Sequence, residues 1–455
     1  MIKRKFDKQI RDFLLNDKRS LLISGARQVG KTFIVREIGK ECFDNFVEIN
    51  FVEHPEAIEL FNEHKGAKDL LMRLSGFTRK PLVPGKTLIF FDEVQKCKEM
   101  VTAIKFLVDE GSYRYVMSGS LLGVELNDLR SVPVGYMDEI EMYPLDLLEF
   151  FGAIGISDDI IAHLRGCFEE KRPVDAFIHE RMLEAVRLYL IVGGMPAVVQ
   201  KYLNTNNLRK VYEEQRGIIR TYKRDITQYA ADSKLRIEEI YNLIPSELNA
   251  KNKRFILKEL NDKARFSKYE DSFLWLKDAG VAIPAYNIEE PRIPLLLNKQ
   301  RNLFKLFLND VGLLAAMYGS NINTRLLSKD SNINYGSIFE NLVAQEMCAH
   351  GFAHEHSLYY FNSKKQGELD FVAEYDGQVL PIEVKSGKDY ARHNALSNVM
   401  ENKEYDIPSA CVFCNENVKT SGRVTYFPVY MIAFLEQMQV AENFYQFDLT
   451  GLKSI

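Results

Sequence analysis

The stretch GARQVGKT, from Gly25 to Thr32, sets two glycines, a lysine and a hydroxyl at the spacing G-x-x-x-x-G-K-[ST]. Each residue type has a task in holding phosphate. Gly25 and Gly30 let the backbone wrap, so that the N–H groups across Ala26, Arg27, Gln28 and Val29 and the N-terminus of the following helix surround phosphate oxygens. Lys31 reaches the β- and γ-phosphates of a nucleotide, and Thr32 puts its hydroxyl on Mg²⁺. Downstream, TLIFFDEVQ runs four apolar residues, Leu88 to Phe91, into Asp92 and Glu93, as expected where a buried central strand ends. Asp92 would hold the Mg²⁺ shell. Glu93, just past the strand, would orient and deprotonate the attacking water, the step that separates hydrolysis from simple binding. A further strand, YRYVMSGS, ends in Ser118, Gly119 and Ser120, and Ser118 is the candidate for contact with the γ-phosphate or the water.

A second set of chemistry-bearing residues lies near the C-terminus. Asp370 in GELDFV and Glu383 with Lys385 in IEVKSG sit on two adjacent predicted strands, and the two-residue repeat puts Glu383 and Lys385 on one face. Asp370 and Glu383 would share a divalent metal, with Glu340 of the preceding helix SIFENLVAQE completing its shell. Lys385 would then steady the attacking water or the pentavalent phosphate, as metal-assisted phosphodiester hydrolysis requires. Cys411 and Cys414 make a C-x-x-C on a strand with no second pair, and His350, His354 and His356 flank a turn. Neither group reads as a metal site.

The elements that must position these residues follow from hydrophobic spacing. RSLLISG, NFVEINF, KTLIFFDE and YRYVMSG read as strands, with helical FIVREIGKEC and MVTAIKFLVDEG between them, the rhythm of a parallel sheet covered by helices. Helical patterns then dominate, broken at Gly193, Gly194 and Pro196. Next come the helices IEEIYNLIPSEL, FILKELNDK and YEDSFLWLKDAG and the extended pieces VAIPAYNI and NLFKLFLND, the order of a winged helix-turn-helix. The remainder is a second α/β unit.

Composition fits this division. With 455 residues, 46% hydrophobic and 27% charged, the chain is an ordinary globular protein. That length suits several domains. The net charge of -4 excludes retention on nucleic acid by bulk charge. From Lys201 to Glu270, however, 16 Lys and Arg face 10 Asp and Glu, a local excess of +6 that a winged helix could present to DNA phosphates. Six scattered cysteines read as free thiols in a reducing compartment. The N-terminus lacks the apolar core of a signal peptide, and the longest apolar stretch, Leu188 to Val199, is too short to span a bilayer. A cytoplasmic protein with no membrane partner is expected.

The order of motifs resembles the P-loop ATPases of the AAA superfamily. More closely, GARQVGKT, FFDEVQ, MSGS, EIEMYPLDLLEF, GGMP (Gly193 to Pro196), TYKRDI (Thr221 to Ile226), GELDFV and IEVKSG together resemble a family of bacterial and archaeal predicted ATPases with a C-terminal nuclease-like domain. The D…E-x-K arrangement itself resembles the restriction-endonuclease-like superfamily. The resemblance implies an α/β chain with a P-loop ATPase core over 1–155, a helical lid over 156–235, a winged helix over 236–325 and a restriction-endonuclease-like domain over 326–455. It implies an ATP-binding and ATP-hydrolysing protein of undefined biological role. With the basic excess along 201–270, a Mg²⁺-dependent ATPase coupled to double-stranded DNA or to a protein partner is expected. Two alternatives stand beside it: an ATP-licensed nuclease, and a scaffold that holds nucleotide structurally. One departure matters. Where members of the family carry Gly-Arg, Gly135 is followed by Tyr136, which leaves the arginine that would act on the γ-phosphate unassigned among Arg130, Arg220 and Arg224.

Overall fold

The apolar runs of the N-terminal part become a single parallel sheet in the computed structural model of the chain. The structure describes residues 2–78, 81–120, 135–229, 233–250, 254–255, 266–327, 336–354, 357–387 and 389–437. Helix α1 (Phe6–Asn16) leads into β1 (Ser20–Ser24), α2 (Lys31–Cys42), β2 (Asn45–Asn50), α3 (Ala67–Thr78), β3 (Thr87–Asp92), α4 (Lys98–Glu110), β4 (Arg114–Ser118) and β5 (Met137–Glu141). The strand order is β2-β3-β4-β1-β5, with every pairing parallel. β1 and β3 are buried at every position, which explains why they read as unbroken apolar runs. The sheet separates two cores. Phe51, Phe61, Phe91 and Ile104 fill one, and Ile10, Ile23, Val35 and Phe90 the other.

The helical part comprises α5 (Leu147–Ala153), α6 (Asp158–Glu169), α7 (Ala176–Val192), α8 (Pro196–Thr205) and α9 (Leu208–Tyr229). Asp146 and Glu149 form a capping box on α5, so the turn before it is locked at both ends. The break between α7 and α8 has a steric cause. A Cβ on Gly193 would lie 2.3 Å from Asp310 Oδ1, and one on Gly194 would lie 2.1 Å from the Leu145 carbonyl oxygen. Asp310, wholly buried, accepts from the Gly194 N–H at 2.6 Å and caps the next helix through the Leu313 N–H at 2.9 Å. No single helix among the described residues is long and apolar enough to cross a membrane. The bent pair α7 and α8 is apolar enough together but turns by 117°, and most of its apolar residues lie in the core, with Phe177 and Leu203 exposed.

There follow α10 (Lys234–Asn249), α11 (Phe266–Asp278) and an antiparallel ribbon, β6 (Ala282–Ile288) with β7 (Lys299–Leu308). The middle helix expected at FILKELNDK lies almost wholly outside the described residues. The ribbon is not a free wing. β6 also pairs in parallel with a later strand, β8, from Ala285↔Leu358 to Ile288↔Phe361. All of β6 is buried, so an uncovered edge would have left apolar side chains and unpaired backbone in water.

The rest comprises α12 (Val311–Tyr318), α13 (Asn321–Leu327), α14 (Gly336–Ala349), β8 (Leu358–Ser363), β9 (Gly367–Leu369), β10 (Phe371–Tyr375), β11 (Gln378–Val384), α15 (Asn394–Glu401), β12 (Ala410–Cys414), β13 (Lys419–Ser421) and β14 (Val424–Pro428). They build a mixed sheet, β10-β11-β12-β14-β13, beside the sheet β7-β6-β8-β9. One continuous cluster of buried apolar side chains runs from Leu145 to Leu435, through what the sequence divides into three units.

Helix α14 lies at the centre of that cluster. Every residue from Ser337 to Cys348 is buried, so its polar side chains must find partners inside the protein. Asn341 accepts from the Leu308 N–H at 2.8 Å and donates to the Leu308 carbonyl at 3.0 Å. Gln345 accepts from the Val311 N–H at 2.9 Å and donates to the Tyr189 hydroxyl. Glu346 accepts from the Leu147 N–H at 3.1 Å.

Candidate functional site

The loop between β1 and α2 needs backbone conformations that glycine supplies. Gly25 has φ +122° and Gly30 φ +99°, and a Cβ on Gly25 would stand 2.1 Å from the Met142 carbonyl oxygen. Gln28 also takes a left-handed φ, 67°. Lys31 opens α2 and folds its amine back over the loop, donating to the carbonyls of Gly25 and Ala26 at 2.8 Å each. Burial pushes its pKa down to about 8, against the pull of Glu93 and Asp92, with Arg27 pushing the same way as burial.

Parallel register gathers the remaining groups. Asp92 ends β3 and lies opposite Asn50 of β2 on one side and Ser118 of β4 on the other. Its carboxylate accepts from Thr32 Oγ1 at 3.1 Å, from Asn50 Nδ2 at 3.0 Å and from Ser118 Oγ. Burial raises the Asp92 pKa and Glu93 adds to the rise, while the hydrogen bonds from Ser118 and Thr32 oppose it. Glu93 sits at a left-handed φ of 57°, and its carboxylate accepts from Gln95 Nε2 and from Ser120 Oγ at 3.3 Å. Ser118 is therefore engaged with Asp92, and Ser120 is the serine that reaches Glu93. Asn50 and Gln95 were not foreseen. Both are polar residues at or just past strand ends, but the order of strands is needed to see what they face.

Three more segments close on the loop. Arg27 pairs with Asp225 of α9, and the Tyr222 hydroxyl, also on α9, donates to the Arg27 carbonyl at 3.3 Å. Tyr222 and Asp225 come from TYKRDI, so that motif serves the nucleotide loop. A Cβ on Gly280, in the turn before β6, would lie 3.1 Å from the Ala26 nitrogen. Arg4 donates to the Val29 carbonyl at 2.8 Å, to the Tyr143 carbonyl at 2.6 Å and to Glu149 at 3.0 Å. Beside it a mostly apolar cavity of about 280 Å³ is lined by Ile2, Arg4, Phe33, Ile34, Pro196 and Gln200. Of the arginines considered from sequence, Arg220 and Arg224 are exposed on α9, and Arg130 lies outside the described residues.

The C-terminal residues are arranged differently. Asp370 accepts from the Val384 N–H at 2.9 Å, and Lys385 donates to Glu383 at 2.6 Å. Burial pushes the Glu383 pKa up, as does Asp370, while Lys385 opposes the shift. Lys305, wholly buried on β7, pairs with Glu368 at 2.7 Å and lies 4.8 Å from the centre of the Tyr360 ring. Burial works against its charge, yet Glu368, Glu340 and Asp370 together hold its pKa above the usual lysine value. Glu340, Asp370, Glu383 and Lys385 thus share one charge network with Lys305 and Glu368, buried except for the partly exposed Lys385 and Glu368, which sequence reasoning missed. Among the described residues, no group of three His, Cys, Asp or Glu side chains is arranged so as to hold a metal ion. Cys411 and Cys414 are free thiols. His350 is buried against Asp146 and Glu346 and bonded to the Leu435 carbonyl at 3.1 Å. His356 lies outside the described residues.

Residues 17–151 match the model of an AAA domain. Residues 183–325 and 335–432 match two domains of unknown function, DUF8612 and DUF4143. No curated protein matches the chain. Among solved structures it is similar to the Walker-type ATPase PABY2304 of Pyrococcus abyssi, at 15% identity over 70% of this chain and 96% of that one, TM-score 0.42. It is also similar to RuvB of Thermotoga maritima, at 14% identity over 67% and 92%, TM-score 0.30, and to the ORC1 protein of Aeropyrum pernix solved in complex with DNA, at 13% identity over 72% and 95%, TM-score 0.26. The N-terminal part of this α/β chain matches an AAA domain over residues 17–151 and has the parallel sheet of a P-loop nucleotide-binding fold.

Proposed function

We propose that the chain binds ATP with Mg²⁺, hydrolyses it, and uses the cycle to move the helical and C-terminal parts against a macromolecular partner. The observation that carries this reading is the convergence of Thr32, Asp92 and Glu93 beside the Lys31 loop, at one end of the parallel strands. Thr32 and Asp92 would hold Mg²⁺: a hydroxyl and a carboxylate are hard oxygen donors, and this ion needs few ligands from protein. When bound, the ion neutralises charge on the phosphate oxygens. Lys31 would leave the Gly25 and Ala26 carbonyls for the β- and γ-phosphates. Glu93, steadied by Gln95 and Ser120, would accept the proton of the attacking water. The cavity beside Arg4 and Phe33 adjoins Gly30, where an aromatic base attached to those phosphates would lie.

Transmission has a physical route in α14. Its side chains bond to α5 and α12, to the end of β7 and to Tyr189 of α7, so a shift of the lid must displace the helix that carries Glu340. The C-terminal charge network is read as the far end of this route rather than as a cutting site, because Glu383 is committed to Lys385 and Asp370 to the Val384 N–H. DNA as the partner draws support from the basic excess along 201–270, where Arg216 and Lys223 line an open groove with Asn242, Ser246 and Ile219. The test is ATP turnover with and without double-stranded DNA, beside Lys31→Ala and Glu93→Gln. Turnover lost in both variants and raised by DNA supports the whole reading. Lys31-dependent binding without turnover, with or without DNA, would point instead to a scaffold held by nucleotide.

A further inference from the structure

Arg27 stands within the phosphate loop, four residues before Lys31, and its guanidinium pairs with Asp225 across the gap to α9. This is not an ordinary surface ion pair. The Asp225 side chain is 5% exposed, and the Tyr222 hydroxyl one turn earlier on α9 holds the Arg27 carbonyl, so two groups of one helix grip one residue of the loop. The pair also lies where hydrolysis would occur. Glu93 acts electrostatically on Asp225, and Arg27 acts on Lys31.

We propose that Arg27 grips the terminal phosphate of a bound nucleoside triphosphate, exchanging the Asp225 carboxylate for phosphate oxygens and so releasing α9 from the loop. The inference rests on the ATP reading above and names the residue that reads the third phosphate. A guanidinium rooted inside the phosphate loop needs only side-chain rotation to reach a group that Lys31 also reaches, and its planar fork binds two phosphate oxygens at once. The terminal phosphate carries more charge than a carboxylate and wins the exchange. A diphosphate lacks the competing group, so Arg27 stays with Asp225 and α9 stays docked. Arg220 and Arg224, the other described candidates, are exposed on α9 and have no such seat.

The experiment measures the affinities of ADP and of a non-hydrolysable ATP analogue, and ATP turnover, for the full chain and for Arg27→Ala, Arg27→Lys, Asp225→Asn and Lys31→Ala. The expected result is that Arg27→Ala loses roughly 10- to 100-fold of triphosphate affinity, the range for a charge-assisted hydrogen bond, with ADP affinity unchanged. Arg27→Lys should recover part of it, and Asp225→Asn should raise triphosphate affinity by removing the competitor. A ratio of triphosphate to diphosphate affinity that is the same in Arg27→Ala as in the wild type overturns the proposal while Lys31-dependent binding leaves the ATP reading standing. Absence of Lys31-dependent binding would overturn both.

Discussion

Two clusters in this chain hold the same kinds of groups, a lysine and acidic side chains at strand ends, yet they are built for opposite ends. At the nucleotide loop the Lys31 amine is satisfied by two backbone carbonyls that it can leave, and its pKa is depressed by burial. At the C-terminal cluster Lys305 and Lys385 are satisfied by carboxylates, which raise both pKa values despite burial. In the first arrangement the amine is held only by neutral carbonyls and is available to an anion. In the second both amines are already paired with carboxylates. A motif therefore tells which groups are present, and their counter-charges tell whether the groups are available.

The largest expected effects exploit that difference. Glu93→Gln should cut ATP turnover by roughly 10²- to 10⁴-fold, the usual worth of a positioned general base, while nucleotide binding persists in an equilibrium assay. Lys31→Ala should abolish binding yet leave the urea midpoint unchanged or raised, since it removes a charge that folding buries without a carboxylate bonded to it. Lys305→Ala should do the reverse. It leaves the buried Glu340 and Asp370 and the partly exposed Glu368 without their shared cation and should cost about 3–5 kcal/mol of folding stability in urea denaturation. Replacing both partners, as in Lys305→Met with Glu368→Gln, should recover most of that loss. A stable Lys305→Ala protein would mean that the C-terminal network is open to water and the contrast is false.

What was legible in the sequence follows the same division. Gly25, Gly30, Lys31, Thr32, Asp92 and Glu93 could be read because their chemistry is local: a loop spacing and the end of an apolar run. Asn50 could not, since its bond to Asp92 depends on β2 lying beside β3. Lys305 could not either, because it reaches Glu368 only through the pairing of β6 with β8, across a boundary drawn where the helix pattern changes. GGMP was visible as a motif, but its reason, the approach of Asp310 and the Leu145 carbonyl to Gly193 and Gly194, is tertiary. The wing was legible as two strands, but the pairing of β6 with β8 was not, because edge pairing leaves no local trace.

A smaller effect is expected at Ser118. Its hydroxyl donates to Asp92 in a buried setting, so Ser118→Ala removes one charge-assisted hydrogen bond, worth about 1.5–3 kcal/mol. Because Asn50 and Thr32 still hold Asp92, the loss should appear as a roughly tenfold higher Mg²⁺ requirement for turnover, with most of the maximal rate recovered at saturating Mg²⁺. An unchanged Mg²⁺ dependence with a collapsed rate would return Ser118 to the role of direct sensor.

The two clusters should also respond to pH in different observables, nucleotide affinity at one and folding stability at the other. Lys31 titrates at about 8 in the nucleotide-free protein, below the ordinary lysine value of 10.5. Phosphate beside it restores the charge, so the bound form holds the proton more tightly than the free form. Affinity is then complete below pH 8 and falls as pH rises through about 8, by at most tenfold per unit. Calorimetry in buffers of differing ionisation enthalpy should record proton uptake on binding near pH 8. Lys31→Arg, charged throughout, should flatten the profile. At the other cluster the raised Glu383 carboxyl gives stability that is present at low pH and lost as pH climbs above the ordinary carboxylate range, and Glu383→Gln should remove that slope from the unfolding midpoint without touching nucleotide affinity. If one variant altered both slopes, α14 would couple the clusters already at rest, before any nucleotide binds.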